Sequence, residues 1–295
     1  MLRQGTSNCP AILIMAPDSP AFPLPTSASS EPIPRRTVAR WRWWVALLIL
    51  VVNPLVGTLL SLLRGGAAEL KLPKSVPGLL VFSGLEVAAF GVFFVVAWLF
   101  SRANRDEMFL RWRGWKPALW GFAYSIGMRL ALMFVAMALF MIVAIVMSML
   151  GTPPEKLAEV IKANSGGAAK VFVPAMTQSS WLYRILMLTL VSFVVAGVRE
   201  ELWRAATLAC LRHLTPHAWS ELSRNLFAVA FSSGLFGLAH LYQGVVGVIQ
   251  TALLGLILGA IMLRHKSVWP AIIAHGAFDA TSFLLVLSVG DKLLK

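Results

Sequence analysis

The chain has 295 residues, 58% hydrophobic and only 13% charged, with a formal net charge of +13. A soluble domain of ordinary composition is about one quarter charged, so this composition, with a mean hydropathy of +0.76, excludes a soluble globular enzyme and defines an integral membrane protein. The positive charge sits in short connections between apolar runs (Arg35, Arg36, Arg40 and Arg42; Arg102, Arg105, Arg111, Arg113 and Lys116), as in cytoplasmic loops. It forms no basic stripe with interleaved aromatics, which argues against nucleic acid as a partner.

In chain order, residues 1–39 are a Pro-, Ser- and Ala-rich tail, expected to be disordered and cytoplasmic. Its one apolar run, AILIM, is shorter than the core of about 7–15 residues that a signal peptide needs. A membrane helix takes about 20 apolar residues, and seven stretches qualify: 43–63, 78–101, 119–150, 182–211, 222–241, 244–264 and 268–290. Pro77 and Pro270 fall where a first helical turn tolerates proline. Arg129, near the start of the third stretch, belongs at the inner interface or in a protein-lined cavity. The segment 151–181 holds an amphipathic stretch, PPEKLAEVIKANSGGAAKVFV, that reads as a short interfacial helix or a lid over the outer face. The expected fold is an all-α polytopic transmembrane bundle of about seven to eight spans.

Orientation follows from the loops. With the N-terminus inside, the inner connections 102–118, 212–221 and 264–267 hold most of the loop arginines, and the outer ones carry fewer, in accord with the positive-inside bias. Cys9 lies in the tail and Cys210 in an apolar helix, so neither a disulfide framework nor a thiolate metal site can be argued. Residues 40–181 form N-terminal transmembrane helices with few intramembrane ionisable groups (Glu86 and Arg129), whereas 182–290 carries a dense set and is expected to be the functional domain. No internal repeat is visible, which weighs against an inverted-repeat transporter that would use the same buried groups as a proton relay.

Charged and imidazole side chains are costly in hydrocarbon and usually mark a site. The fourth stretch contains VREELWRAATLACLRH, in which Glu200 and Arg204 are four apart and share a helix face where they could pair. Glu201 points about 100° away. Two carboxylates in different surroundings can serve one as base and one as orienter. The fifth ends in FSSGLFGLAHLYQG, where Phe236 lies one turn before His240 and can pack beneath its imidazole. The seventh carries VWPAIIAHGAFDATSF, where Asp279 follows His275 by one turn and could orient or charge it, or join it in stabilising an oxyanion. There is no HExxH, although Glu200, His240 and His275 could still meet at a metal. Ser232 and Ser233 beside Gly234 read as packing residues rather than nucleophiles.

EELWR (200–204), FGLAH (236–240) and HGAFD (275–279), in this order, resemble the three blocks of the CAAX-protease and bacteriocin-processing (Abi) family of intramembrane glutamic endopeptidases. The resemblance covers about residues 182–290. It implies that Glu200 or Glu201 with His240 activates water for attack on a peptide bond, that His275 and Asp279 hold the oxyanion, and that Arg204 and Phe236 orient the site, without cofactor or metal. It also implies a peptide or protein substrate at the lipid bilayer of a bacterial cytoplasmic membrane; oligomeric state is left open. One departure concerns spacing. The family has three residues between its second glutamate and its arginine, and here only Leu202 and Trp203 intervene. Registering on Arg204 puts Arg199 in the first glutamate's slot and Glu200 in the second. Registering on the glutamates puts Ala205 in the arginine's slot. The competing expectation is therefore a catalytically inactive scaffold or bacteriocin self-immunity protein.

Overall fold

Within lipid a backbone must satisfy its own hydrogen bonds, and the chain does so with helices. The computed structural model describes residues 38–63, 72–151, 153, 155–156, 159, 167–216 and 218–293. Among these, regular structure is entirely helical: α1 (Arg40–Leu63), α2 (Val76–Ser101), α3 (Trp115–Met149), α4 (Gly167–Thr177), α5 (Trp181–Leu214), α6 (Glu221–Ala239), α7 (Gly244–His265) and α8 (Trp269–Leu293). Six helices are long and apolar enough to cross a membrane, namely α2, α3, α5, α6, α7 with the turn before it, and α8. The 24-residue α1 adds another long helix. The expected polytopic bundle is thus the fold observed. Residues 1–37 of the tail predicted at 1–39 and most of the amphipathic stretch at 152–166 lie outside the described residues; α4 falls in the remainder of the segment 151–181.

Local chemistry sets the helix ends. Ser75, Ser180 and Ser220 cap α2, α5 and α6 by accepting from the backbone N–H groups of Gly78, Tyr183 and Ser223, as N-cap hydroxyls do. Arg102 and Lys266 close α2 and α7 in the left-handed conformation. The connection after α2 is anchored beneath α8: the Val268 N–H donates to Phe109 O at 2.8 Å and the Trp269 indole N–H to Leu110 O at 3.2 Å.

One buried core joins the two halves of the sequence. Trp43, Leu47 and Leu50 of α1 pack with Ala205, Leu208 and Ala209 of α5, Leu258 and Met262 of α7, and Ala271 and Ala274 of α8. A close helix contact places α8 against the middle of α5. A β-carbon added at Gly276 would stand 2.4 Å from the Phe193 ring, and one at Gly197 would stand 3.0 Å from the Ile272 carbonyl. Small residues allow such approach where no hydrophobic force drives helices together. The opposite faces, such as Val81, Leu85 and Val92 of α2 and Phe134, Ile142 and Ile145 of α3, are exposed, as lipid-facing surfaces should be.

The centre of α5 departs from the α-helical pattern. Residues Met187–Glu200 form a π-helix between α-helical turns at Trp181–Leu186 and Glu201–Leu214. The Ser192 hydroxyl donates to Met187 O, five residues back, at 2.9 Å. π-Helical turns occur mostly at functional positions, and this one ends at the first of the two adjacent glutamates.

Candidate active site

The two glutamates leave α5 into different surroundings. Glu201 is 0% exposed and its Oε1 accepts from two donors, Arg204 Nη1 and His275 Nδ1, the latter at 2.7 Å. Glu200 retains 15% side-chain exposure; its Oε1 accepts from Arg199 Nη2 at 2.9 Å, and its Oε2 lies 3.9 Å from His275 Nε2. The expected Glu200–Arg204 pair does not form. Arg204 pairs with Glu201 three residues before it, and Glu200 takes the neighbouring Arg199 instead. The switch from π to α winding falls between Glu200 and Glu201, and Glu201–Arg204 is the three-residue pairing that the α-helical side of that switch allows.

Arg204 is also 0% exposed, and its guanidinium stacks 4.2 Å above the Phe236 ring. That cation–π contact is favourable in a desolvated position. Phe236 is the hub of the site. Its ring meets His240 edge-on at 4.7 Å and His275 edge-on at 6.1 Å, with Trp203 at 6.4 Å. Trp203 is itself fixed by donation from its indole N–H to Leu50 O of α1 at 2.9 Å.

The hydrogen bonds assign the imidazole tautomers. His240, at the C-terminal end of α6, has Nδ1 2.8 Å from Phe236 O. A carbonyl only accepts, so Nδ1 carries the proton and the neutral ring presents a free lone pair at Nε2. Nδ1 of His275 likewise donates to Glu201, which turns Nε2 toward Glu200 at 3.9 Å and Asp279 at 3.7 Å. Both separations exceed direct hydrogen-bond contact. His240 stands within electrostatic reach of Glu200, His275 and Arg199. Glu200, Glu201, His240, His275 and Asp279 are therefore gathered from α5, α6 and α8 into one cluster, with Glu201 and His275 buried and the other three partly buried.

Three further groups join this cluster. Arg199, read in the sequence only as a misplaced residue, ion-pairs with Glu86 of α2 as well as with Glu200. Arg129 of α3 donates through Nη2 to Phe278 O at 2.8 Å, Thr281 Oγ1 at 2.6 Å and Ser282 Oγ at 3.1 Å, and it lies within electrostatic reach of Asp279. Tyr242, in the turn after His240, sits 5.8 Å from that imidazole between ring centroids. Glu86 and Arg129 carried a usable signal, because an intramembrane charge needs a partner and the available partners were here. The sequence offered no signal for Tyr242. The two serines are packing groups: Ser232 donates to Val229 O at 3.1 Å, and Ser233 is buried against Gly255. Among the described residues no three His, Cys, Asp or Glu side chains are arranged to hold a metal ion.

Fold and cluster together define a polytopic helical membrane protein with a buried carboxylate–imidazole–guanidinium site. Residues 180–281 match the family model described as Type II CAAX prenyl endopeptidase Rce1-like, a CAAX-type intramembrane protease family. The resemblance carried by the three sequence blocks is thus borne out over this segment, which holds Glu200, Glu201, Arg204, Phe236, His240, His275 and Asp279 but neither Glu86 nor Arg129. No curated protein and no solved structure matches the chain.

Proposed function

We propose that the protein is a metal-independent intramembrane endopeptidase of a bacterial cytoplasmic membrane, N-terminus inside, in which Glu200 and His240 activate a water molecule for attack on a peptide bond. One observation carries this reading: Glu200, whose Oε2 makes no direct hydrogen bond among the described residues, and His240, whose Nδ1 is tied to the Phe236 carbonyl, belong to one cluster built around Phe236 and His275. Water held between two such groups can lose its proton to them as it attacks, and the same pair can return that proton to the departing amine nitrogen. Glu201 is unsuited to the base's role, because it is fully buried, its Oε2 without a partner among the described residues, while Arg204 and His275 share its Oε1 and Glu200 keeps some exposure. The role of Glu201 is to hold His275 with Nε2 facing the substrate carbonyl. A proton on that Nε2, together with the proton of a protonated Asp279 carboxyl, then meets the developing oxyanion. Glu200 beside His275, where the sequence had left Arg199 as a rival occupant, favours the enzyme over an inactive scaffold.

The test is cleavage of membrane-anchored reporter peptides by the purified full chain. Glu200→Gln and His240→Ala are each expected to lower kcat by about 100-fold or more while thermal unfolding stays near that of the unsubstituted protein. Chelation with EDTA or phenanthroline is expected to leave the rate unchanged. Wild-type cleavage by both variants, or loss of activity on chelation restored by zinc, would overturn the mechanism.

A further inference from the structure

We propose that Arg199 and Glu86 form a positioning pair that fixes the Glu200 carboxylate, making α2, outside the matched segment, a working part of the site. The inference rests on the reading of Glu200 as the base. Each guanidinium nitrogen of Arg199 is engaged: Nε donates to Val195 O at 3.0 Å, Nη1 to Glu86, and Nη2 to Glu200 Oε1 at 2.9 Å. Three of the five guanidinium N–H donors are thus committed within the protein. The group is a rigid fork suited to holding a carboxylate.

The geometry identifies what is held. With Oε1 tied to Arg199, the Glu200 side chain cannot swing, and Oε2 is left directed at His275. Charge supplies the second reason. Glu200 shares the pocket with Glu201 and Asp279, both within electrostatic reach of the His275 ring, and Arg204 is committed to Glu201. Arg199 offsets the repulsion on Glu200 that would otherwise turn it toward solvent. Glu86, 41% exposed on its side chain, anchors the other end of the fork. It thereby converts an interhelical ion pair into an alignment device, of the kind for which displacements near 1 Å cost about 100-fold in rate.

The experiment uses the full chain in lipid nanodiscs with the same peptide reporters. Arg199→Gln is expected to lower kcat about 10- to 100-fold with KM little changed. Arg199→Lys should recover most of that loss, since a cation returns without the fork. Glu86→Gln should fall between them, and Glu86→Gln with Arg199→Gln should match Arg199→Gln alone within about twofold, because Glu86 acts through the arginine. A second readout needs no turnover. The Glu200 carboxylate stretch, isolated as the infrared difference between wild type and Glu200→Gln, should shift in Arg199→Gln and in Glu86→Gln. Unchanged kcat and an unshifted band in Arg199→Gln, with Glu200→Gln inactive, would overturn the positioning pair and leave the base standing. Full activity in Glu200→Gln would remove the base and the pair's purpose together.

Discussion

Arg204 and Glu201 are fully buried and paired with each other, Arg204 lying over the face of Phe236 and Glu201 also accepting from His275. Removing one partner of such a pair leaves an uncompensated charge and costs about 3–5 kcal/mol, whereas removing both can be close to neutral. Arg204→Met is therefore expected to destabilise the protein by that amount, measured as loss of thermal stability in detergent. Arg204→Met combined with Glu201→Gln should recover much of it. A single variant as stable as wild type would show that the charge finds another partner. The sequence identified which residues carry charge in the membrane but not which ones meet. The four-residue spacing pointed to Glu200 with Arg204; the three-residue spacing within the α-helical turn gives Glu201 with Arg204, and Glu200 takes Arg199.

At the scale of elements, the spans were legible because the cost of exposing backbone to lipid leaves long apolar sequences no alternative to helix. The π-helical winding of Met187–Glu200, against which α8 packs, was not legible, since no local pattern in the sequence marks it. The α8 contact can be tested. A methyl group at position 276 would meet the Phe193 ring at 2.4 Å, so Gly276→Ala must push α8 away from the π segment or rotate the ring. His275 and Asp279 ride on the displaced stretch of α8. Overpacking of this kind costs about 1–3 kcal/mol, and the expected result is lower thermal stability together with a loss of cleavage larger than that stability change alone explains. Gly255→Ala gives the comparison. It meets Ser233 at 3.2 Å, away from the catalytic side chains, and should affect stability with little effect on the rate of the folded fraction. Equal behaviour of the two variants would mean that the α8 contact does not set the site's geometry.

On the scale of the whole molecule, the dense run of ionisable groups drew the functional boundary near residue 182, and the site does not respect it. Glu86 of α2 holds Arg199, Leu50 of α1 accepts from the Trp203 indole, and Arg129 of α3 fastens α8 beside Asp279. Trp43, Leu47 and Leu50 share a core with Leu208 and Ala209 of α5. A chain beginning at residue 102 would lose that core and expose Arg199 without Glu86, so it is expected to be degraded or to purify without activity. The sharper test divides the chain instead of shortening it. Residues 1–101 co-expressed with 102–295 retain every helix and break only the connection after α2, where contacts to α8 are made by residues 109–111 on the second fragment. Helices that pack through a shared core reassemble when inserted separately into one membrane, so the two fragments are expected to copurify and to restore cleavage. Glu86→Gln in the first fragment should lower activity as it does in the intact chain. Activity from residues 102–295 alone, at the level of the intact chain, would mean that the N-terminal helices contribute anchoring and nothing to the site.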